Sequence, residues 1–215
     1  RANELYTLVP EVGYAIAILG AFVAIFAASM ALVNNDMKRI IAYSTLSQLG
    51  YMFVAAGLGA YWVALFHLAA HAFFKSVLFL GAGNVMHAMD DELDIRKMGG
   101  LHNKMKATSI IMTIASLALA GIFPLAGFFS KDKILEVAFN ADAIVLWTIL
   151  WITAGLTAFY SFRLVMKIFF GIQNYSNEEF HPHEAKNFVI AAMIPLAVLA
   201  VIAGWFEHSF VEFVT

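Results

Sequence analysis

Three titratable residues within one apolar segment offer the clearest chemistry in this chain. His67, His71 and Lys75 are four residues apart inside the otherwise apolar run 61–88. In an α-helix this spacing places all three side chains on one face, over roughly 12 Å of length at ~1.5 Å per residue. Ionisable groups are costly inside a membrane, so they usually face a protein interior or water and transfer ions or protons. We call these three residues the His–Lys row and predict that they line a proton path.

Two other interpretations of the His–Lys row stay open. The three side chains could form an interhelical hydrogen-bond network that only stabilises helix packing. The spacing of His67 and His71 also suits zinc, and haem is a related possibility, but no third ligand is evident and Lys75 adds positive charge. We therefore predict no metal ion here.

A second polar cluster, Ser130-Lys131-Asp132-Lys133, lies within another apolar run. A buried lysine can exchange its proton near neutral pH, and a neighbouring carboxylate favours its charged form. This predicts a proton-loading site at Lys131 with Asp132 beside it. Alternatively, Lys131 or Lys133 extends to the membrane surface and Asp132 caps a half-helix.

The composition indicates an all-α integral membrane protein. Hydrophobic residues make up 62% of the 215 residues, with 13 basic and 15 acidic residues, and the mean hydropathy is +0.80. Apolar runs long enough to cross the bilayer recur along the chain. The absence of cysteine excludes disulfides, Cys-ligated iron–sulfur clusters and Cys-based zinc sites. No basic patch suggests nucleic acid as a partner.

The apolar runs predict six transmembrane helices, at 10–33, 40–58, 61–88, 107–139, 143–170 and 188–206. The fourth would be roughly 50 Å long if straight, too long for a plain crossing. Pro124 cannot donate a hydrogen bond to the carbonyl of Ala120, and Gly121 and Gly127 flank it. We predict a break between 120 and 127, with two half-helices whose freed backbone groups are satisfied by protein or water.

The start of the second predicted helix is rich in small polar residues. These side chains could line a hydrated path, or could equally be ordinary hydrogen-bonding contacts between helices. Lys38 would stand at the mouth of such a path. The candidate lining residues are Tyr43, Ser44, Thr45, Ser47 and Gln48.

The basic residues predict the orientation of the chain. They concentrate in the loops 34–39, 89–106 and 171–186, whereas the opposite side offers only Arg1. By the positive-inside rule these loops face the cytoplasm or the matrix. Because the chain opens with Arg1 and not with Met, we expect it to be an internal piece or a truncated form of a longer protein.

Other polar residues near the predicted helix ends receive simpler interpretations. Arg163 and Lys167 are predicted to be interfacial anchors of the fifth helix. The tract His181-Pro182-His183-Glu184 is predicted to be a solvated loop. Glu207, His208 and Glu212 are expected at the interface opposite the basic loops.

Four sequence motifs carry a family resemblance. They are DMKRIIAYSTLSQLGYM at 36–52, FHLAAHAFFK at 66–75, RKMGGL at 96–101 and GFFSKD at 127–132. Their order and sequence resemble the proton-conducting membrane family of respiratory complex I and the Mrp-type antiporters. Within that family the chain is most similar to the C-terminal half of the large distal type, chain L or subunit 5.

The resemblance implies a fold of two inverted five-helix repeats, each with a broken helix. Residues 1–171 would form the second repeat, and 172–215 a polar loop with one further transmembrane helix. Lys131 corresponds to the broken-helix lysine that faces the exit half-channel, the His–Lys row to the hydrophilic axis at the membrane midplane, and Lys38 to the entry region. The first repeat with its glutamate–lysine pair and the long lateral helix are absent from this chain, so the fragment alone is not expected to pump.

The same resemblance implies proton translocation within a redox-driven NADH–quinone oxidoreductase. NADH or another donor, flavin, iron–sulfur clusters and quinone would then belong to other subunits, and no cofactor to this chain. The expected partners are other membrane subunits, including a neighbouring antiporter-like subunit, and the lipid of a bacterial inner membrane or its organellar equivalent. The alternatives are a subunit of an Mrp-type cation/proton antiporter or of a membrane-bound hydrogenase, and a structural membrane scaffold without ion movement.

Overall fold

Helices make up most of the chain in the computed structural model, which describes residues 8–176 and 180–214. The described residues contain no β-strand beyond one isolated bridge between Asp36 and Asp94. Short 3₁₀ turns at Ile95–Lys97 and Leu101–Asn103 interrupt the longest loop. The helices are α1 (Pro10–Val33), α2 (Met37–Gly57), α3 (Tyr61–Ala88), α4 (Lys106–Ala120), α5 (Ala126–Asn140), α6 (Ile144–Val165), α7 (Asn187–Ile202) and α8 (Glu207–Val214).

Six membrane crossings follow from these helices. α1, α2 and α3, together with the continuous runs Ile144–Phe170 and Asn187–Val214, are long and apolar enough to span a bilayer. α4 and α5 are shorter and form the remaining crossing together. α2 begins at Met37, earlier than predicted, because the Asp36 carboxylate accepts a hydrogen bond from the Arg39 amide, 2.9 Å away, and caps the helix. The last crossing continues past 206, so Glu207, His208 and Glu212 lie on its helical end.

α1 and α2 pack through backbone and not through large side chains. The buried residues of α1 are all glycine or alanine. A Cβ atom added to Gly13 would lie 2.7 Å from the Gly57 carbonyl oxygen, and one added to Gly20 would lie 2.7 Å from that of Gly50. Small residues allow this close approach of transmembrane helices.

The predicted break in the fourth crossing is confirmed. α4 ends at Ala120, and Gly121 adopts a left-handed conformation with φ of +82°. The chain passes Pro124, which follows a cis peptide bond, before α5 begins. At Gly127 an added Cβ would overlap the Ala118 carbonyl oxygen. The two half-helices therefore touch through their backbones just beyond the break.

Backbone hydrogen bonds gather the three basic loops at one end of the bundle. Met37 N donates to Leu93 O at 2.9 Å, and Asn174 N donates to Met98 O at 3.3 Å. We call this end, formed by 34–36, 89–105 and 171–186, the loop end. Arg1 lies outside the described residues, as do residues 177–179 of the third loop.

Two ion pairs order the second loop. Lys97 Nζ lies 2.6 Å from Glu92 Oε2, and Arg96 Nη2 lies 2.6 Å from Asp94 Oδ2. Hydrogen bonds from these basic side chains lower the pKa of both carboxyl groups. Both basic side chains are mostly exposed, so each pair contributes little to stability.

The prediction of a solvated 181–184 loop is wrong at Glu184. Its carboxylate accepts hydrogen bonds from Ala107 N at 2.8 Å, Thr108 N at 3.2 Å and Thr108 Oγ1 at 2.6 Å. The first amides of a helix have no intrahelical acceptor and carry partial positive charge, so a carboxylate stabilises them. Glu184 thus caps α4 from a loop distant in sequence.

Arg163 has a packing role beyond that of an interfacial anchor. Its guanidinium donates to Leu32 O at 2.9 Å, Asn34 O at 2.8 Å and Asn35 Oδ1 at 2.6 Å. These bonds attach the end of α6 to the turn between α1 and α2. They also satisfy carbonyl groups at the end of α1.

Candidate functional site

The His–Lys row lies in the interior of the bundle. The exposed fraction is 0% for His67, 6% for His71 and 4% for Lys75. The prediction that these side chains avoid lipid is confirmed. The i, i+4 spacing on α3 places them on one face, and α2 and α5 supply the polar partners of His67 and Lys75.

His67 connects three helices. Its Nδ1 lies 2.9 Å from Ser130 Oγ on α5, and its Nε2 lies 3.1 Å from Gln48 Oε1 on α2. With both ring nitrogens engaged, His67 has no free lone pair for a metal. The described residues also contain no group of three or more histidine or carboxylate side chains placed to hold one.

Lys75 marks the other end of the row. Its Nζ donates to Ile41 O at 3.1 Å and to the Ser44 hydroxyl, both on α2. The buried hydroxyl of Tyr160, on α6, donates to Thr157 Oγ1 at 3.4 Å and lies close to the side chains of Ser44 and Gln48. Polar groups therefore join the lysine end of the row to Gln48, the partner of its first histidine.

Lys131 extends from α5 back across the break to α4. The side chain is 3% exposed, and Nζ donates to Leu119 O at 2.8 Å. That carbonyl is among the last of α4, where a helix leaves acceptors unpaired and favours a cation. Nζ also lies 5.8 Å from the ring centroid of Tyr51, whose hydroxyl donates to Leu150 O at 2.5 Å.

The other two charged residues of the second cluster do not share this interior position. Asp132 is exposed on the outer surface of the chain, whereas Lys131 is buried; consecutive residues of a helix point about 100° apart. Lys133 forms ion pairs with Glu136 at 3.0 Å and Glu207 at 3.5 Å. Of the two candidate lysines, only Lys131 joins the buried site.

The candidate lining residues of α2 separate into two groups. Ser44 and Gln48 contact the His–Lys row or its partners, as described. The others lie elsewhere: Ser47 donates to Ala24 O on α1 at 2.8 Å, Thr45 donates to Ile41 O at 3.0 Å, Tyr43 packs against the apolar core, and Lys38 Nζ lies 2.8 Å from Met86 Sδ at the loop end.

Two buried nitrogen atoms of the site lack a hydrogen-bond partner within the described part of the chain. They are His71 Nε2 and Gln48 Nε2. Buried polar groups are almost always hydrogen-bonded, often to ordered water. Water molecules at these two atoms would extend the polar network along the row.

Sequence reasoning named Ser130 within the second polar cluster but gave it no role of its own, and it missed Tyr51 and Tyr160 as functional candidates. Ser130 directly precedes Lys131, so it could have been proposed from its position alone. The two tyrosines belong to apolar helices, and only the packing of α2 and α6 around the row brings them to the site.

The family comparison agrees with this architecture. Residues 1–157 match the family described as "NADH:quinone oxidoreductase/Mrp antiporter, TM". The chain is 67% identical over 215 residues to NADH-quinone oxidoreductase subunit L of Campylobacter jejuni, covering 100% of this chain and 36% of that protein. It is 46% identical over 224 residues to subunit L of Rhodobacter capsulatus, covering 98% and 31%.

Solved structures show the same fold. A chain of the membrane-bound sulfane sulfur reductase, an archaeal respiratory membrane complex, superposes with a TM-score of 0.82 at 30% identity, over 89% of this chain and 32% of that one. A chain of the Mrp complex from Dietzia sp. superposes with a TM-score of 0.81 over 95% and 46%; at 18% identity this likeness concerns the fold alone.

The chain spans about a third of the length of the curated relatives it matches. Both the sequence match and the broken-helix fold cover most of its residues. This chain belongs to the NADH:quinone oxidoreductase/Mrp antiporter transmembrane family.

Proposed function

We propose that this chain is part of a subunit that translocates protons in a redox-driven NADH–quinone oxidoreductase. The observation that supports it most is the buried polar network of His67, Lys75 and Lys131, which meets the broken helix inside a membrane protein. The names of the relatives support the same assignment. The fold likeness to an Mrp complex gives less support to a cation antiporter.

Lys75, His67 and Lys131 have different roles in the proposed proton transfer. Lys75 and His67 exchange protons along α3 by way of His71, whose unpartnered Nε2 would bind water, while Gln48 holds the His67 ring through Nε2. Lys131 takes up a proton near the break, and its ammonium is held by the end of α4. When the proton leaves, the amine loses this charge–dipole attraction, and burial, which disfavours the ammonium, offsets part of that loss. Release then takes place on the side opposite the loop end.

The redox chemistry belongs to other chains of the assembly. NADH or another donor, flavin, iron–sulfur clusters and quinone would be bound there, and this chain would contribute the proton path. Its partners are adjoining membrane subunits, one of them antiporter-like, within a bacterial inner membrane or its organellar equivalent. The loop end, rich in basic residues, faces the cytoplasm or matrix.

Substitutions of Lys131 in the full-length protein within its complex test this proposal. We expect Lys131→Ala to reduce proton uptake into vesicles per electron transferred, with the complex still assembled on a native gel. Lys131→Arg should also reduce it, because a guanidinium does not release its proton near neutral pH. Asp132→Asn should have a smaller effect, since Asp132 is exposed.

Lys133→Ala is the matched control. It removes a lysine of the same half-helix whose partners are surface carboxylates, so proton uptake should persist. An unchanged proton-to-electron ratio in a fully assembled Lys131→Ala complex would contradict the proposal.

A further inference from the structure

The hydroxyl of Ser130 lies within hydrogen-bond distance of two acceptors but can donate to only one of them at a time. Its Oγ lies 2.9 Å from His67 Nδ1 and 3.1 Å from Ala126 O, and the residue is 0% exposed. A serine hydroxyl has one proton to donate and accepts through its lone pairs. At any moment Ser130 therefore donates either to the imidazole or to the backbone carbonyl.

Gln48 determines which nitrogen of His67 changes its protonation. Gln48 Oε1 is an acceptor only, so His67 Nε2, 3.1 Å away, must carry a hydrogen to bond to it. The remaining nitrogen, Nδ1, is the one that faces Ser130. A proton added to or removed from this ring is thus exchanged at Nδ1.

Both protonation states of His67 are completely hydrogen-bonded in this geometry. In the neutral ring, Ser130 donates its O–H to Nδ1. In the charged ring, Nδ1–H donates to Ser130 Oγ, and the hydroxyl turns its own proton to Ala126 O. One proton is gained at Nδ1, the hydroxyl keeps its own, and no buried group loses its partner.

We propose that Ser130 is a positioning residue whose rotating hydroxyl allows His67 to hold a proton in transit. This inference rests on the proposed function. Ser130 is adjacent in sequence to Lys131, and Ala126 is the first residue of α5, so the turn of the hydroxyl adds or removes a hydrogen bond beside the break. The titratable neighbours of His67 are His71 and Lys131. Because two like charges repel each other, His67 and Lys131 hold the proton in alternation.

Ser130→Ala in the full-length protein within its complex tests the inference. The substitution leaves His67 Nδ1 without its partner, and we expect proton uptake to become roughly fivefold to tenfold slower, the scale of one lost buried hydrogen bond. Ser130→Thr should keep uptake near that of the unsubstituted protein, because a threonine hydroxyl in a helix can also donate a hydrogen bond to a carbonyl three or four residues earlier. The control is Thr153→Val, which removes a buried hydroxyl bonded to Ile149 O at 2.7 Å and should leave uptake unchanged.

A double-mutant cycle with His67→Leu separates this inference from the proposed function, and decides the case if Ser130→Thr does not assemble. We expect Ser130→Ala to have no further effect once His67 is replaced. Wild-type uptake in Ser130→Ala, or an effect that adds fully to that of His67→Leu, would overturn the role of Ser130 alone. If His67→Leu itself leaves uptake unchanged, the proposed function of the His–Lys row fails instead.

Discussion

At the scale of single residues, the site depends on how each buried charge is satisfied. Lys131 is held by a helix-terminal carbonyl and by the face of an aromatic ring, whereas Lys75 is held by a carbonyl and a hydroxyl of α2. Neither lysine has a carboxylate partner among the ion pairs of the described chain. A lysine without a fixed counter-ion can lose its proton without leaving an unpaired buried carboxylate behind.

Tyr51 allows the ring contact to be separated from the hydroxyl contact. Tyr51→Phe keeps the ring beneath Lys131 and loses only the bond to Leu150 O. We expect it to destabilise the bundle by about 1 kcal/mol in thermal unfolding of the complex, with proton uptake retained. Tyr51→Leu removes the ring face and should also lower proton uptake, since a cation–π contact is worth about 1 kcal/mol or more when desolvated.

The control for Tyr51 is Tyr14→Leu, because Tyr14 is 49% exposed on α1 and lies outside the site. If Tyr51→Phe impaired proton uptake as strongly as Tyr51→Leu, the hydroxyl and not the ring would be the functional group.

At the scale of helices, the break is a contact between two half-helices and not merely an interruption. Glu184 caps the first residues of α4, and Lys131 binds its last turn. Both ends of this short helix are therefore fixed by charged side chains from other segments. The signs of the two charges complement the helix dipole.

Gly127→Ala is the sharpest test of that contact. The new Cβ would overlap the Ala118 carbonyl oxygen, so α5 must move away from α4 and Lys131 would lose Leu119 O. We expect weaker assembly on a native gel and lower proton uptake in the complex that does assemble. Gly155→Ala is the matched control, since a Cβ there meets no atom within 4 Å; equal behaviour of the two variants would refute the close approach.

The sequence was informative where chemistry is local. Helical geometry alone predicts that His67, His71 and Lys75, spaced four residues apart, share one helix face. Pro124 and its flanking glycines alone predict the break. The contacts of Ser130 with His67 and of Tyr160 with α2 join helices distant in sequence, so no local pattern assigns these contacts. The prediction for Glu184 was wrong because its carboxylate caps α4, a helix distant in sequence, and only the folded structure brings the two together.

At the scale of the whole molecule, all three basic loops lie at one end of the bundle. The exposed basic residues there include Arg39, Arg96 and Lys104. This asymmetry predicts the orientation in the membrane, because basic loops stay on the cytoplasmic or matrix side.

Cysteine labelling measures that orientation directly. This chain contains no cysteine, so Lys104→Cys and Ala141→Cys place single exposed thiols at opposite ends. The two variants are made in a full-length protein without other cysteines and treated with a membrane-impermeant maleimide. We expect Lys104→Cys to be labelled in inverted vesicles and Ala141→Cys to be labelled in right-side-out vesicles. Labelling of both positions from the same side would exclude the six-crossing arrangement, and the reverse pattern would invert the orientation.

The glycine–alanine contact between α1 and α2 has a mechanical consequence. Gly13 meets Gly57 and Gly20 meets Gly50, two turns apart on each helix, so backbone lies against backbone at two levels. Most of the closest atoms at these two levels belong to the backbone, which has no rotamers whose change could permit sliding or rotation. We therefore expect α1 and α2 to move as one rigid unit, in which Ser44 and Gln48 keep fixed positions. We then expect any gating movement to occur on the other side of the His–Lys row, where the half-helices α4 and α5 meet.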